Sequence, residues 1–374
     1  MPRRKSVGLP CPGRTRRLAG WLVLALLLLG AGIALRTLRS RPPAAATPPA
    51  APPQPPPPPF AHLVLPTDQQ NLLDLTPGAF QPTASGNPES ALYGSVRTAR
   101  NGHALVPSFH EGIDIAPTRR DRHGQPLDNV YAVAAGTVAY VNRHAGNSNY
   151  GRYVVLLHPD PLGEVYSLYA HLADITPHLK TGAAVAAGTV LGRMGHTPTR
   201  TIPPARAHLH FEVGLINNTR FDEWFRHRRL TPDHGRYNGW NLLAINPLDF
   251  LRRQSANPTL TMRDHLAAVP RAFELVLAVP RQLDFFQRYP GLWQGPAYEG
   301  RGMAIACAEN GVPLEGRNAT AAEAARLGTS KAAVLQVDEA ALGRNGARLV
   351  VCDRGRWRLG RNGERWLEIL TYPQ

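Results

Sequence analysis

Apolar and polar positions follow three different rules along this chain. Residues 18–35, LAGWLVLALLLLGAGIAL, are apolar on every side and carry no charge. As a helix they would rise about 27 Å, close to the thickness of a bilayer core, so the run predicts a transmembrane anchor. Residues 42–59 show no periodicity, and eleven of the eighteen are Pro. That composition excludes helix and sheet and predicts an extended polyproline stalk of roughly 55 Å.

From residue 60 the pattern becomes that of a folded domain, with short apolar runs divided by Gly, Asn and Pro. Residues 130–141 read as strand, Ala-Gly turn, strand, and residues 153–157 (YVVLL) as a buried strand. Residues 165–172 and 207–213 alternate between apolar and polar. Strands this short and closely spaced predict a mainly β domain with antiparallel sheets rather than βαβ units. Gly182, Gly188, Gly192 and Gly195 predict turns or bulges between the last two strands. Residues 215–251 read as loops with a short helix against the sheet edge. After residue 257 the composition shifts. A helix over 260–273, strands over 273–279, 302–307, 333–337 and 348–352, and a closing helix over 363–370 predict a small α+β C-terminal domain. The expected organisation is a basic segment at 1–17, an anchor at 18–35, a stalk at 36–59, a β-rich domain at 60–256 and an accessory domain of unknown role at 257–374.

Charge modifies this picture in one place. The chain has 374 residues and a net charge of +15, which invites a nucleic-acid reading. Nine of the basic residues, and no acid, fall within the first 41 positions, leaving 33 basic against 27 acidic side chains elsewhere. The excess therefore flanks the apolar run. It is heavier on the N-terminal side, which is then expected to stay cytoplasmic while the rest is exported across the inner membrane; a cleaved signal peptide is the rival. No nucleic-acid partner is expected. Three cysteines without CxxC spacing exclude a disulfide scaffold and a Cys-ligated zinc site. Cys307 and Cys352 close two strand candidates, and their pairing is left open.

Candidate chemistry gathers on two strands and a loop. Alternation puts His208, His210 and Glu212 on one face of their strand, with Leu209, Phe211 and Val213 on the other. The same rule groups Ser167, Tyr169 and His171. Upstream, His110 and Asp114 stand in an H-x-x-x-D spacing, with Gly112 permitting a tight path between them. Singly, each signal is weak, since such spacings arise by chance.

Together they are specific. SFHEGIDIA, AVAAGTVAYV, YGRYVVLLH, YSLYAHL, AAGTVLGRMGHT and AHLHFEV follow one another in the order of the lysostaphin-type, LytM-like zinc metallopeptidases, which residues 108–213 resemble throughout. The resemblance implies a LytM-like peptidase domain with one Zn²⁺ per chain, held by His110, Asp114 and His210, and a catalytic pair in His171 and His208. Three N/O ligands leave one position open for water or substrate. Glu212 is expected either to orient an imidazole or to make a strand-face salt bridge. The resemblance further implies an endopeptidase acting on peptidoglycan peptides, its protein partners unknown. A catalytically inert LytM-like regulator that activates a wall hydrolase is the alternative. The segment 195–208 departs from the family pattern through Arg200, Arg206, Pro203 and Pro204. The insert at 117–129 is long and expected to form a polar flap, its Arg119 and Arg120 either solvated or facing acidic groups. His103 or Asn101 is a further, weaker candidate for an inhibitory contact.

Overall fold

The computed structural model describes residues 60, 62–94, 97–98, 105–106, 108–198, 201–231 and 234–374. The expected anchor at 18–35, the stalk, and Asn101 and His103 lie outside these residues. Among the described residues no helix is long and apolar enough to cross a membrane.

Twelve strands lie before residue 257: β1 (Arg97–Thr98), β2 (Leu105–Val106), β3 (Ile113–Ile115), β4 (Asn129–Tyr131), β5 (Gly136–Asn142), β6 (Tyr153–Asp160), β7 (Gly163–Ala170), β8 (Asp174–Ile175), β9 (Ala184–Val185), β10 (Val190–Arg193), β11 (Leu209–Ile216) and β12 (Leu242–Ile245). β1 and β2 form a small antiparallel pair. The main sheet runs β12-β11-β7-β6-β5-β9, with β3 also paired to β11, and a second sheet runs β4-β10-β8. Every pairing here is antiparallel, as the short alternating runs predict. β12 departs from that expectation. Its Leu-Leu-Ala-Ile run is embedded in Gly, Asn and Pro and reads as loop, yet it completes the ladder beside residues 213–216 of β11.

β11 is buried along its whole length because both faces are covered. Leu209, Phe211, Val213 and Leu215 enter the main core, while Tyr153, Leu168, Ala170 and Ile216 build a second apolar cluster. His210 and Glu212 belong to the opposite face from the main core, as alternation requires. A one-residue slip in register would carry them into that core.

The chain continues through α1 (Phe221–His227), α2 (Pro247–Ala256) and α3 (Met262–Ala267). The helix expected over 260–273 is shorter at both ends. A Thr261–Asp264 capping box starts it, and Pro270 bars its continuation. Next come β13 (Phe273–Leu277), α4 (Asp284–Arg288), β14 (Trp293–Gln294), β15 (Met303–Cys307), β16 (Pro313–Asn318), α5 (Ala321–Ala325), β17 (Ala332–Val337), α6 (Glu339–Leu342), β18 (Val350–Asp353), β19 (Arg356–Leu359) and α7 (Arg361–Thr371). A five-stranded sheet, β14-β16-β15-β13-β17, and the β18-β19 hairpin form this α+β part. Cys307 is buried in β15 and Cys352 is exposed in β18; both are free thiols.

One hydrophobic core runs without a break from Val154, Phe211 and Phe250 to Phe273, Phe285 and Trp366. Polar ties cross the same boundary. The Tyr289 hydroxyl donates to Glu164 O at 2.9 Å and accepts from Ile216 N at 3.1 Å. Asn310 Nδ2 donates to Ala244 O at 2.7 Å, and Asn218 Nδ2 donates to Ile369 O at 2.8 Å. The C-terminal part is thus fastened to the edge strand β12 and to the end of β11.

Candidate metal centre

Strand register brings the candidate ligands together. In the β3–β11 ladder Asp114 stands directly opposite His210, and on the other edge of β11 His210 stands opposite Ala170, the residue before His171. Gly112 is what lets the segment approach so closely: a Cβ there would collide with the Phe211 carbonyl and press on the His210 ring. His110, Asp114, His171, His208 and His210 all lie in this one buried cluster.

His110 Nε2, Asp114 Oδ1 and His210 Nδ1 converge on one point. His110 Nε2 lies 3.0 Å from Asp114 Oδ1 and 3.1 Å from His210 Nδ1, and His210 Nδ1 lies 3.0 Å from Asp114 Oδ1. The other nitrogen of each imidazole is already committed. His110 Nδ1 donates to Leu92 O at 3.0 Å, and a carbonyl can only accept. His210 Nε2 donates to Glu212 Oε1 at 2.8 Å. With each ring neutral, both turn lone pairs toward an ionised carboxylate, and a cation would displace the second proton that His210 otherwise holds at neutral pH. Three acceptors with no donor among them are satisfied by a cation, and two imidazoles with one carboxylate suit Zn²⁺.

Electrostatics agree. Burial acts to raise the Asp114 carboxyl, but the surrounding His110, His208 and His210 imidazoles hold it well below the usual carboxylate range. Burial acts to lower His210, yet Asp114 and Glu212 raise it to about 9. The pocket favours positive charge at this spot. Glu212 itself is fully buried and held ionised against burial by His210, Tyr150 and Tyr166. The Tyr150 hydroxyl donates to its Oε1 at 2.7 Å and the Tyr166 hydroxyl to its Oε2 at 2.9 Å. Of the two roles left open for Glu212, orientation of the His210 imidazole is the observed one.

His171 and His208 flank the cluster, their rings 4.8 Å apart between centroids. His171 Nδ1 donates to Thr197 O and His208 Nδ1 donates to Arg206 O, each at 2.7 Å. Nε2 is then the reactive nitrogen of both, and that of His208 lies 3.5 Å from Asp114 Oδ1. Burial, together with His208 and His210, holds His171 well below the usual histidine range, so it is neutral. Its backbone sits at φ 65°, a region costly for a non-glycine residue and favoured at working sites.

Tyr150, Tyr166 and the carbonyls of Leu92, Thr197 and Arg206 escape the sequence reading. The tyrosines carry a faint signal, Tyr150 in the NYGRY stretch and Tyr166 at strand spacing. The carbonyls carry none, because every residue has one. Arg119 is exposed, 3.7 Å from Asp68 Oδ2. Arg120 is half-buried, with Asp128 near enough to act on its charge. Its guanidinium donates to Gly124 O at 2.9 Å, Pro204 O at 2.8 Å and Ala207 O at 3.2 Å, which binds the 117–129 insert to the segment bearing Arg206. A groove of about 590 Å³ opens over the cluster, lined in part by Glu111, Tyr150, His171, Ile202, His210 and Trp240.

Residues 108–222 match the model of Peptidase family M23. Among solved structures, the chain is similar to the catalytic domain of the antimicrobial peptidase lysostaphin from Staphylococcus simulans, with 22% identity over 43% of this chain and 89% of that one and a TM-score of 0.27. It is also similar to Helicobacter pylori Csd3, with 20% identity over 36% of this chain and 31% of that one and a TM-score of 0.23. A zinc containing peptidase from Vibrio cholerae shares 24% identity over 36% of each chain, with a TM-score of 0.24. The chain thus spans about a third of the length of the last two proteins. No curated protein matches it. Family model and donor set coincide on the same stretch, residues 108–222.

Proposed function

We propose that the chain is a zinc metalloendopeptidase that hydrolyses peptide cross-links of peptidoglycan during wall remodelling. The observation that carries this reading is the convergence of His110 Nε2, Asp114 Oδ1 and His210 Nδ1 beside two further imidazoles whose Nε2 atoms are their reactive nitrogens. His110, Asp114 and His210 would hold the ion. When bound, zinc with an open position acidifies a water and polarises a carbonyl.

The protein's own groups do the rest. Neutral His171 accepts a proton at Nε2 from the attacking water and returns it to the leaving amine. His208, its Nδ1 anchored on Arg206 O, offers Nε2–H to the carbonyl oxygen when protonated, as negative charge develops there. Thr197 O and Arg206 O keep each ring in the tautomer and orientation the step needs. Glu212 keeps His210 Nδ1 free of its proton. The groove walls position an extended peptide across the cluster and limit bulk water.

Purified protein incubated with isolated wall sacculi, with and without a chelator, tests the reading by the fragments released. Zinc-dependent appearance of new amino termini supports it. Their absence, with zinc bound, leaves the regulator reading, in which the domain acts on a wall hydrolase.

We also propose that residues 18–35 anchor the chain in the inner membrane with its N-terminus cytoplasmic, and that 36–59 hold the peptidase at a distance from the bilayer. The charge-free run and its basic flank support this. Protease protection of the C-terminal region in intact cells, lost on permeabilising the envelope, is the expected result.

A further inference from the structure

Past Trp240 the groove leads into a second cavity of about 360 Å³. The two share a lip made by Ser108, Phe109, Glu111, Gly239 and Trp240. Its far wall comes from the C-terminal part, from Arg348 and Leu349 ahead of β18 and from Arg365 and Trp366 on α7. The C-terminal part therefore lines a cavity that adjoins the groove over the cluster.

The chemistry of that wall is selective. Arg365 lies over the Trp240 ring, 4.3 Å from its centroid, and its only polar contact among the described residues is a long one to Asn362 Oδ1, 3.4 Å. Arg348 is exposed, at φ 53°. Neither guanidinium makes an ion pair among the described residues, in contrast to Arg317, which pairs with Glu323 at 2.7 Å. The one acidic residue of the lining, Glu111, belongs to the shared lip. Two guanidiniums without an ion-pair partner beside an aromatic wall fit an anionic group of a peptide.

We propose that this second cavity is a substrate subsite in which Arg348 and Arg365 bind a carboxylate-bearing part of the peptide, away from the bond that is cut. The inference rests on the peptidase reading for its substrate, but binding at the subsite does not require turnover. The C-terminal part then acts as a specificity element of the peptidase. An acidic stem-peptide segment lies across Trp240 with its carboxylate between the two arginines, and a neutral segment loses that anchor.

The test compares a cross-linked wall stem-peptide dimer bearing free side carboxylates with the same dimer amidated at those positions. Binding to the full zinc-loaded protein is measured by calorimetry, and cleavage in parallel. The free-acid dimer is expected to bind about tenfold more tightly than the amidated one, the worth of one charge-assisted hydrogen bond. Arg348→Gln and Arg365→Gln should each erase most of that preference, raising KM for the acidic dimer with kcat unchanged and leaving the amidated dimer unaffected. Arg365→Lys should restore part of it. Arg348 is exposed, so its variant folds and keeps the test open if Arg365→Gln does not. Equal binding of the two dimers, or equal weakening of both by the substitutions, overturns the subsite. A preference in binding without cleavage of either dimer leaves the subsite standing and refutes the endopeptidase reading instead.

Discussion

Glu212 Oε1 lies 2.8 Å from His210 Nε2, and the two are neighbours on one face of a strand that is buried throughout. The contact decides which nitrogen of His210 faces the site. With the proton held at Nε2, Nδ1 carries a lone pair and joins those of His110 and Asp114. A buried carboxylate is costly unless fully satisfied, and Tyr150 and Tyr166 complete the satisfaction of Glu212.

Glu212→Gln keeps the shape but removes the charge that fixes this tautomer. Zinc affinity should fall about 10- to 100-fold, read by competition with a chromogenic chelator. Unchanged affinity would mean that the His210 tautomer is set elsewhere.

Ligand and catalytic roles separate by metal content. His210→Ala should lose both zinc and activity, whereas His208→Ala and His171→Ala should keep most of the zinc and lose turnover by about 100-fold or more. Metal analysis of the purified variants beside their rates checks this. Full zinc in His210→Ala with none in His208→Ala would reverse the assignment.

The orientation of His171 depends on a glycine twenty residues away. Gly151 has φ 63°, and a Cβ there would collide with the backbone of Thr197, whose carbonyl receives His171 Nδ1–H. Gly151→Ala should cost about 1–3 kcal/mol of stability and lower kcat with zinc content intact. Chemical denaturation and metal analysis, run together, distinguish this from simple unfolding.

Arg120 acts at a distance on the other imidazole. By gripping Pro204 O and Ala207 O it holds the segment whose Arg206 carbonyl anchors His208. Arg120→Ala should reduce kcat without loss of zinc, and Arg120→Lys should restore little, since one ammonium cannot span several carbonyls as a guanidinium fork does.

His158 gives the fold a pH dependence. It is buried, its Nδ1 donating to Ala135 O at 2.8 Å and its Nε2 paired with Ser167 Oγ at 2.7 Å, and burial lowers its pKa to about 4. In the unfolded chain the imidazole binds its proton near pH 6.5, so below that pH the unfolded state holds more protons. Stability is therefore complete above about pH 6.5 and falls toward pH 4, by on the order of 3 kcal/mol from this residue. Urea unfolding at several pH values should show that slope in the wild type and a shallower one in His158→Gln, where His265, also lowered to about 4 by burial, keeps its own share.

Local pattern carried much of the β domain into view. Strand alternation alone places His210 and Glu212 on one face of β11, with His208 just ahead of the strand in the same alternation, because successive side chains of an extended chain must point to opposite faces. The same logic finds β5, β6 and β7. It fails for β12 and for β16, whose Pro313, Glu315, Gly316 and Arg317 dilute any alternation. These segments are strands because β11 and β15 offer them unpaired edges, and an edge is a property of the folded chain. Likewise, it is the resemblance of residues 108–213 to the LytM-like peptidases that implies a zinc site at His110, Asp114 and His210 with His171 and His208 beside it. Which nitrogen of each ring faces the metal is settled by Leu92 O, Glu212, Thr197 O and Arg206 O. Carbonyls leave no mark in an amino-acid sequence, and only packing brings them within 3 Å of an imidazole. The cavity beyond Trp240 is of the same kind, since its two walls lie more than a hundred residues apart and meet only through the shared core.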